Sequence, residues 1–187
     1  RCSTSNAVIF RLPSSKIIDL NNPVIFDDGS LKITAFEVEH LPVYPSMGFR
    51  FDYKGRSIVI SGDTDYSTNL IEQSKNADLL FHDALSYNMI GRAEDISEII
   101  QPQLSRVFYD IQGYHASPVE AAQAANEANV KELIFYHLIP APDSFIAKII
   151  FVKGVSEVRP DNWTLADDGT IAILPVNSED ITITNID

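Results

Sequence analysis

Short apolar runs alternate with longer amphipathic stretches along the chain. Residues 7–12 and 17–20 are predicted to be short strands, and Asp27-Asp28-Gly29-Ser30 a turn whose glycine is free to take a positive φ. Residues 31–39 are apolar with incomplete alternation, the pattern of a strand covered on both faces. Residues 48–53 and 57–61 flank Lys54-Gly55-Arg56 and predict a hairpin. After Asp63 the period lengthens. Residues 67–76 place apolar or small side chains at Leu70, Ile71 and Ser74, as an amphipathic helix does. Residues 78–81 read as a short buried strand, and residues 90–109 as helix interrupted near Pro102. The clearest local signal is Ser117-Pro118-Val119-Glu120. Serine at the N-cap, proline at the first helical position and glutamate at the third make a capping box, and the alanine-rich helix that follows is predicted to end near Asn129. Residues 133–136 form a further strand, 143–152 a further helix, and 164–174 a hairpin around Asp167-Asp168-Gly169.

Strands and helices thus interleave, with strands both early and late. The pattern predicts an α/β fold of helices packed on a mixed sheet rather than a doubly wound parallel sheet. No repeat, low-complexity tract or linker interrupts residues 1–187, which predicts a single domain. No glycine-rich phosphate loop is present.

Composition narrows the function. At 45% hydrophobic and 21% charged residues, the chain can bury a sizeable core. Its formal net charge is −12, with the acidic residues scattered rather than run together. Such a field repels phosphate backbones, and with no basic patch in view a nucleic-acid partner is not expected. No apolar run approaches the roughly 20 residues that span a bilayer, so no membrane partner is expected. The single cysteine, Cys2, cannot form an internal disulfide and leaves the compartment open, cytoplasmic or periplasmic. The first residue is Arg1 rather than Met, which raises the expectation that residues lie upstream.

Only four histidines occur, and three of them close predicted strands: His40, His82 and His137. Asp63 follows the run 57–61 in Ser-Gly-Asp-Thr, and His115 lies just before the capped helix. Each has a plain reading: a hydrogen-bonded core histidine for His40 or His137, a turn former for Asp63, a helix N-cap for Asp83. Jointly they suit a metal-dependent hydrolase, because imidazole nitrogen and carboxylate oxygen are the donors that zinc, manganese or iron take. Asp83 is the natural partner to orient the His115 imidazole for proton transfer. His82 is expected to pack or hydrogen-bond behind the site.

Five runs carry a family resemblance: Phe36-Glu37-Val38-Glu39-His40 continuing to Met47-Gly48-Phe49-Arg50-Phe51, then Ile58-Val59-Ile60-Ser61-Gly62-Asp63-Thr64, Leu79-Leu80-Phe81-His82-Asp83-Ala84, His115-Ala116-Ser117 and Phe135-Tyr136-His137-Leu138. Over residues 26–174 they resemble the C-terminal half of a metallo-β-lactamase-fold hydrolase, in the subgroup similar to ribonuclease Z and its arylsulfatase-like relatives. The resemblance implies part of an αββα sandwich and a dinuclear zinc site. It implies that His40 serves the first zinc, His137 the second, and Asp63 bridges both. It implies that His115, held by Asp83, protonates the leaving group.

Two departures stand out. The His-x-His-x-Asp-His motif that supplies most remaining ligands is absent, and three residues join 53 to 57 where the short bacterial ribonuclease Z carries its tRNA-gripping arm. The expected activity is hydrolysis of a small-molecule ester (a phosphodiester, aryl sulfate or lactone) through a metal-activated hydroxide in the intact protein. Leu41–Met47, with Val43, Tyr44 and Met47, either lines an apolar leaving-group pocket or packs as ordinary loop. The alternative is a catalytically incomplete fragment or subunit that needs a partner segment, because three donors cannot hold two zinc ions. A tRNA 3′-processing endonuclease is the second alternative, disfavoured by the missing arm and the net charge. A half-sandwich exposes a sheet face and an edge, so homo-oligomerisation or association with the missing half is expected.

Overall fold

The computed structural model describes residues 17–186; the strand expected over 7–12 lies outside them. Residues 17–20 are not a strand. They hold a single bridge between Asp19 and Asn22, and the Asp19 carboxylate accepts from the Asn21 backbone N–H at 3.0 Å. This local Asx contact competes with strand pairing and wins here.

The first strand, β1 (Val24–Asp27), escaped the sequence pattern because it is four residues long and abuts the turn. In that turn Asp28 Oδ1 accepts from the backbone of Ser30 and Leu31, each at 2.8 Å, and Gly29 takes φ +83°. The strands β2 (Leu31–Val38), β3 (Ser46–Tyr53) and β4 (Arg56–Ile60) follow. The β3–β4 hairpin closes through Lys54 and Gly55, both at positive φ, the geometry that matches strand twist in a two-residue loop.

Helix α1 (Thr68–Gln73) crosses over to β5 (Leu79–Leu85). Next come α2 (Tyr87–Ile100), α3 (Pro102–Ile111) and α4 (Pro118–Glu127). The break between α2 and α3 falls at Gln101, at φ −147° and ψ 79°, because the residue before a proline is pushed out of the helical region. The expected capping box is formed: Ser117 Oγ accepts from Glu120 N, and the Glu120 carboxylate accepts from Ser117 N at 2.8 Å. Strand β6 (Glu132–Ile139), helices α5 (Phe145–Phe151) and α6 (Val155–Val158), and strand β7 (Trp163–Leu165) complete the main sheet.

The sheet has seven strands in chain order, antiparallel from β1 to β4 and parallel from β4 to β7. This is the mixed sheet with flanking helices that the interleaving predicted. The hairpin expected over 164–174 is a correction. The turn exists, with Thr170 N donating to Asp167 O, but β7 pairs with β6 in the main sheet. After the turn, β8 (Thr170–Ile173) pairs instead with β9 (Thr182–Asn185) in a separate two-stranded sheet. Pairing partners outside the local window decided this.

One sheet face packs against helices. Phe36, Val59, Leu80, Leu133 and Phe135 form the core with Leu70 of α1 and the buried alanines of α4. Alanine keeps α4 close to the strands. On the opposite face Ile33, Phe49, Phe51, Ile58, Ile60 and Phe81 line up across β2–β5, all outside that core and all partly exposed. Among the described residues, no helix is long and apolar enough to cross a membrane.

Candidate active site

Strands β2, β4, β5 and β6 run in one direction, and the sequence-predicted site residues gather at their carboxyl ends, where open α/β sheets bind ligands. His40 follows β2, Asp63 follows β4, Asp83 lies in β5 and His137 in β6, while His115 comes in on the α3–α4 loop.

Asp63 is set by its neighbours. Gly62 takes φ +69°, and a Cβ there would sit 2.3 Å from Met47 O, so only glycine fits. The Asp63 carbonyl accepts from Ser46 Oγ at 2.7 Å. Beyond it, Asp65 N donates to Glu39 O, and Ala116 N donates to Thr64 O. The turn after β4 therefore ties the His40 segment to the His115 segment.

His137 occupies a β-bulge. Asp83 pairs with Tyr136 and Ala84 with Leu138, leaving His137 as the extra residue at φ +45°. A non-glycine residue in the left-handed region at a bulge is an uncommon conformation that re-aims its side chain. Its Nε2 lies 3.6 Å from Asp63 Oδ1, too far for a hydrogen bond.

Asp83 is fully buried. His115 Nδ1 donates to its Oδ2 at 2.8 Å, and Thr64 N reaches the same oxygen at 3.3 Å. His82 is buried behind it, with Nδ1 donating to Asp83 O at 2.7 Å and 3.2 Å from Oδ1. Burial alone would raise the Asp83 pKa, but the hydrogen bonds and charges of His115 and His82 outweigh it and hold the carboxyl below its ordinary range. The acid thus stays ionised and acceptor-only, which fixes the proton of His115 on Nδ1 and leaves Nε2 for a substrate.

The rings close the constellation. His40 and His115 meet edge to face at 4.9 Å between centroids, and His115 and His137 are 6.4 Å apart. Both ring nitrogens of His40 are buried without a hydrogen-bond partner among the described residues. A buried imidazole in that state lacks the partner such groups need, and a metal ion would supply one. The donor set fits part of a metal centre and no more: among the described residues no three His, Cys, Asp or Glu side chains enclose one ion.

The sequence reading missed two aromatic residues. Tyr114 packs 5.0 Å from the His40 ring and 5.2 Å from His115. Tyr136 stands beside Ser61 with its phenol pushed up in pKa, chiefly by burial. Each directly precedes a site histidine, which is the only signal the sequence carries for them.

The β-lactamase superfamily domain profile matches residues 4–138. The chain is 32% identical over 129 residues to a ribonuclease Z of Mycobacterium avium (strain 104), covering 69% of this chain and 42% of that protein. It is 34% identical over 116 residues to a ribonuclease Z of Mycobacterium tuberculosis (strain H37Rv), covering 62% and 39%. The metallo-β-lactamase-fold protein YhfI of Bacillus subtilis superposes with a TM-score of 0.53 at 22% identity, over 75% of this chain and 49% of that one, a likeness of fold. The chain spans less than half the length of these relatives. On the profile match, the strand order and the fold likeness together, this chain belongs to the metallo-β-lactamase superfamily of hydrolases, as a ribonuclease Z-like member.

Proposed function

We propose that this chain contributes the proton-donating half of a metal-dependent hydrolase active site whose substrate is a small ester: a phosphodiester, an aryl sulfate or a lactone. The observation that carries the reading is the buried Asp83–His115 pair at 2.8 Å, set beside His40 and His137 at the strand ends. In this reading His115 Nε2 delivers a proton to the departing oxygen, and Asp83 holds the ring and stabilises its charge.

His40, Asp63 and His137 are the residues that would hold metal, zinc first, with manganese or iron suited to the same donors. When bound, the metal supplies positive charge that polarises the scissile group and acidifies water. Three donors fall short of two zinc sites, so we infer that further ligands come from a partner segment or a second copy, seated on the partly exposed face around Phe49, Ile60 and Phe81. The chain by itself is then inactive.

The relatives' name favours a second reading, a tRNA 3′-processing endonuclease. Charge speaks against it. A cleft of about 650 Å³ beside His137 is lined by Asp143, Asp167 and Asp168, and one of about 360 Å³ beside His40 by Glu37 and Glu39, with no Lys or Arg lining either. Polyanion binding relies on cations in such places.

Assays of the metal-loaded assembled protein on 4-nitrophenyl phosphodiester, aryl sulfate and lactone substrates test the proposal, alongside tRNA binding at low salt. Hydrolysis of one ester, lost in His115→Ala, with no tRNA binding is expected. Salt-sensitive tRNA binding without ester hydrolysis would replace it with the second reading.

A further inference from the structure

Asp83 lies beyond the point where β4 and β5 stop pairing. Their register ends at Ile60 opposite Phe81, and Ser61 N donates to Phe81 O at 2.9 Å where it stops. The chain after β4 does not continue alongside, because Gly62 turns it at φ +69°. Side chains take over the backbone of Asp83. Its N–H donates to Ser61 Oγ at 3.1 Å, and its C=O accepts from His82 Nδ1 at 2.7 Å.

Ser61 is fully buried, and its hydroxyl has one proton to give. Gly62 O lies 2.5 Å from that hydroxyl and Asp83 Oδ1 3.4 Å, so the proton goes to Gly62 O. Ser61 Oγ therefore bridges the Asp83 N–H and the carbonyl next to Asp63. At the other end of the same turn, Thr64 N reaches Asp83 Oδ2 at 3.3 Å. The turn that presents Asp63 thus also grips Asp83.

The other member of the pair is fastened separately. Tyr87, at the start of α2, donates its hydroxyl to His115 O (3.0 Å) or Gln112 O (3.2 Å), and Leu85 N donates to Ala116 O at 2.9 Å. With the His115 loop clamped in this way, the alignment of the pair depends on where the Asp83 carboxylate is held.

We propose that Ser61 is a positioning residue for the proton-transfer step of the function proposed above. Its hydroxyl ties the Asp83 backbone to the turn carrying Asp63, so that the proton donor and the carboxylate that would hold metal keep one alignment. Without that hydroxyl the Asp83 N–H is a buried donor lacking its acceptor, a state relieved by a backbone shift or by entry of water. Either one loosens the carboxylate from His115 Nδ1.

The test follows exchange of the His115 Nδ1 proton with water, by NMR of the purified full chain. Ser61→Ala is expected to speed that exchange about tenfold, the equivalent of one buried hydrogen bond. Ser61→Thr, which keeps the hydroxyl, is expected to restore most of the protection. Thr164→Val removes a different bond, Thr164 Oγ1 to Glu132 Oε1 at 3.0 Å near the amino end of β6, and is expected to leave the exchange as in wild type. The proposal is overturned by unchanged exchange in Ser61→Ala, by equal acceleration in Thr164→Val, or by a folded Ser61→Thr that exchanges as fast as Ser61→Ala. In the unaltered chain the Asp83 amide is expected to be protected, and an unprotected amide overturns the proposal whether or not the variants fold. Rates on ester substrates are read separately in the assembled protein, where Ser61→Ala is expected to lower kcat about tenfold with KM little changed. Absence of all ester hydrolysis defeats the proposed function, and the exchange rates still decide the role of Ser61.

Discussion

His115 Nδ1 and Asp83 Oδ2 lie 2.8 Å apart although 32 residues separate them in the chain. Two backbone bonds make the approach possible: Ala116 O accepts from Leu85 N at the end of β5, and Ala116 N donates to Thr64 O after β4. The pair is thus clamped beside two parallel strands, and the carboxylate is fully buried against the imidazole.

Replacing that carboxylate is the sharpest test of its role. Asp83→Asn is expected to lower kcat of the assembled enzyme by about 10²- to 10⁴-fold with KM little changed, because the acid is misaligned while substrate contacts persist. Steady-state kinetics with a melting curve to confirm folding checks this; an unchanged kcat would remove Asp83 from the mechanism.

Gly62 offers a separate handle on Asp63. Gly62→Ala is expected to cost about 1–3 kcal/mol or more, since the new Cβ meets Met47 O and the backbone stays at positive φ. Urea unfolding measures the cost. Stability equal to wild type would mean that the turn relaxes freely.

Acid sensitivity should come from the far end of the sheet. Buried Asp78 lies 2.9 Å from Lys131 Nζ and 3.3 Å from Arg56 Nε, and accepts from Ser57 N at 2.8 Å. Burial works to raise its pKa, but Lys131, the Ser57 amide and Arg56 together hold it below the ordinary carboxylate value. A depressed folded value means that the stabilisation is complete above about pH 4 and is lost as pH falls through the lower folded pKa. Asp78→Asn is expected to remove roughly 3 kcal/mol at neutral pH and to flatten the acid limb of stability against pH. An acid limb identical to wild type would place the sensitivity elsewhere.

Metal content separates a complete site from a partial one. The purified chain is expected to hold well under two zinc ions per molecule by elemental analysis, because each catalytic zinc normally takes about three protein ligands. A value near two in a monomeric fraction would overturn the assignment of His40, Asp63 and His137, whereas a value near two confined to a self-associated fraction would mean that a second copy supplies the remaining ligands.

The partly exposed face around Phe49, Ile60 and Phe81 predicts self-association. Sedimentation velocity is expected to show dimers or larger species, reduced in Phe81→Lys. A monodisperse monomer at all concentrations would argue that this face needs no cover.

Local physics determines several elements from the sequence alone. The capping box at Ser117, the hairpin turn at Lys54-Gly55 and the helix break before Pro102 each depend on atoms within a few residues. So does the placement of His40 and Asp63 just past strand ends, since apolar periodicity marks where a strand stops; the strands expected to end at 81 and 136 instead run on past His82 and His137 as β5 and β6. Tertiary structure alone decided the rest. Whether residues after Asp167 close a hairpin or leave the sheet depended on β6 and β9, not on the turn. The bulge that turns His137 toward Asp63 exists only because β6 and β5 pair with one residue to spare. The depressed pKa of Asp83, the packing of Tyr114 on two histidines and the Tyr87 clamp arise from groups distant in sequence. Burial and hydrogen bonding act through space, and a one-dimensional pattern records only which residues are available to meet.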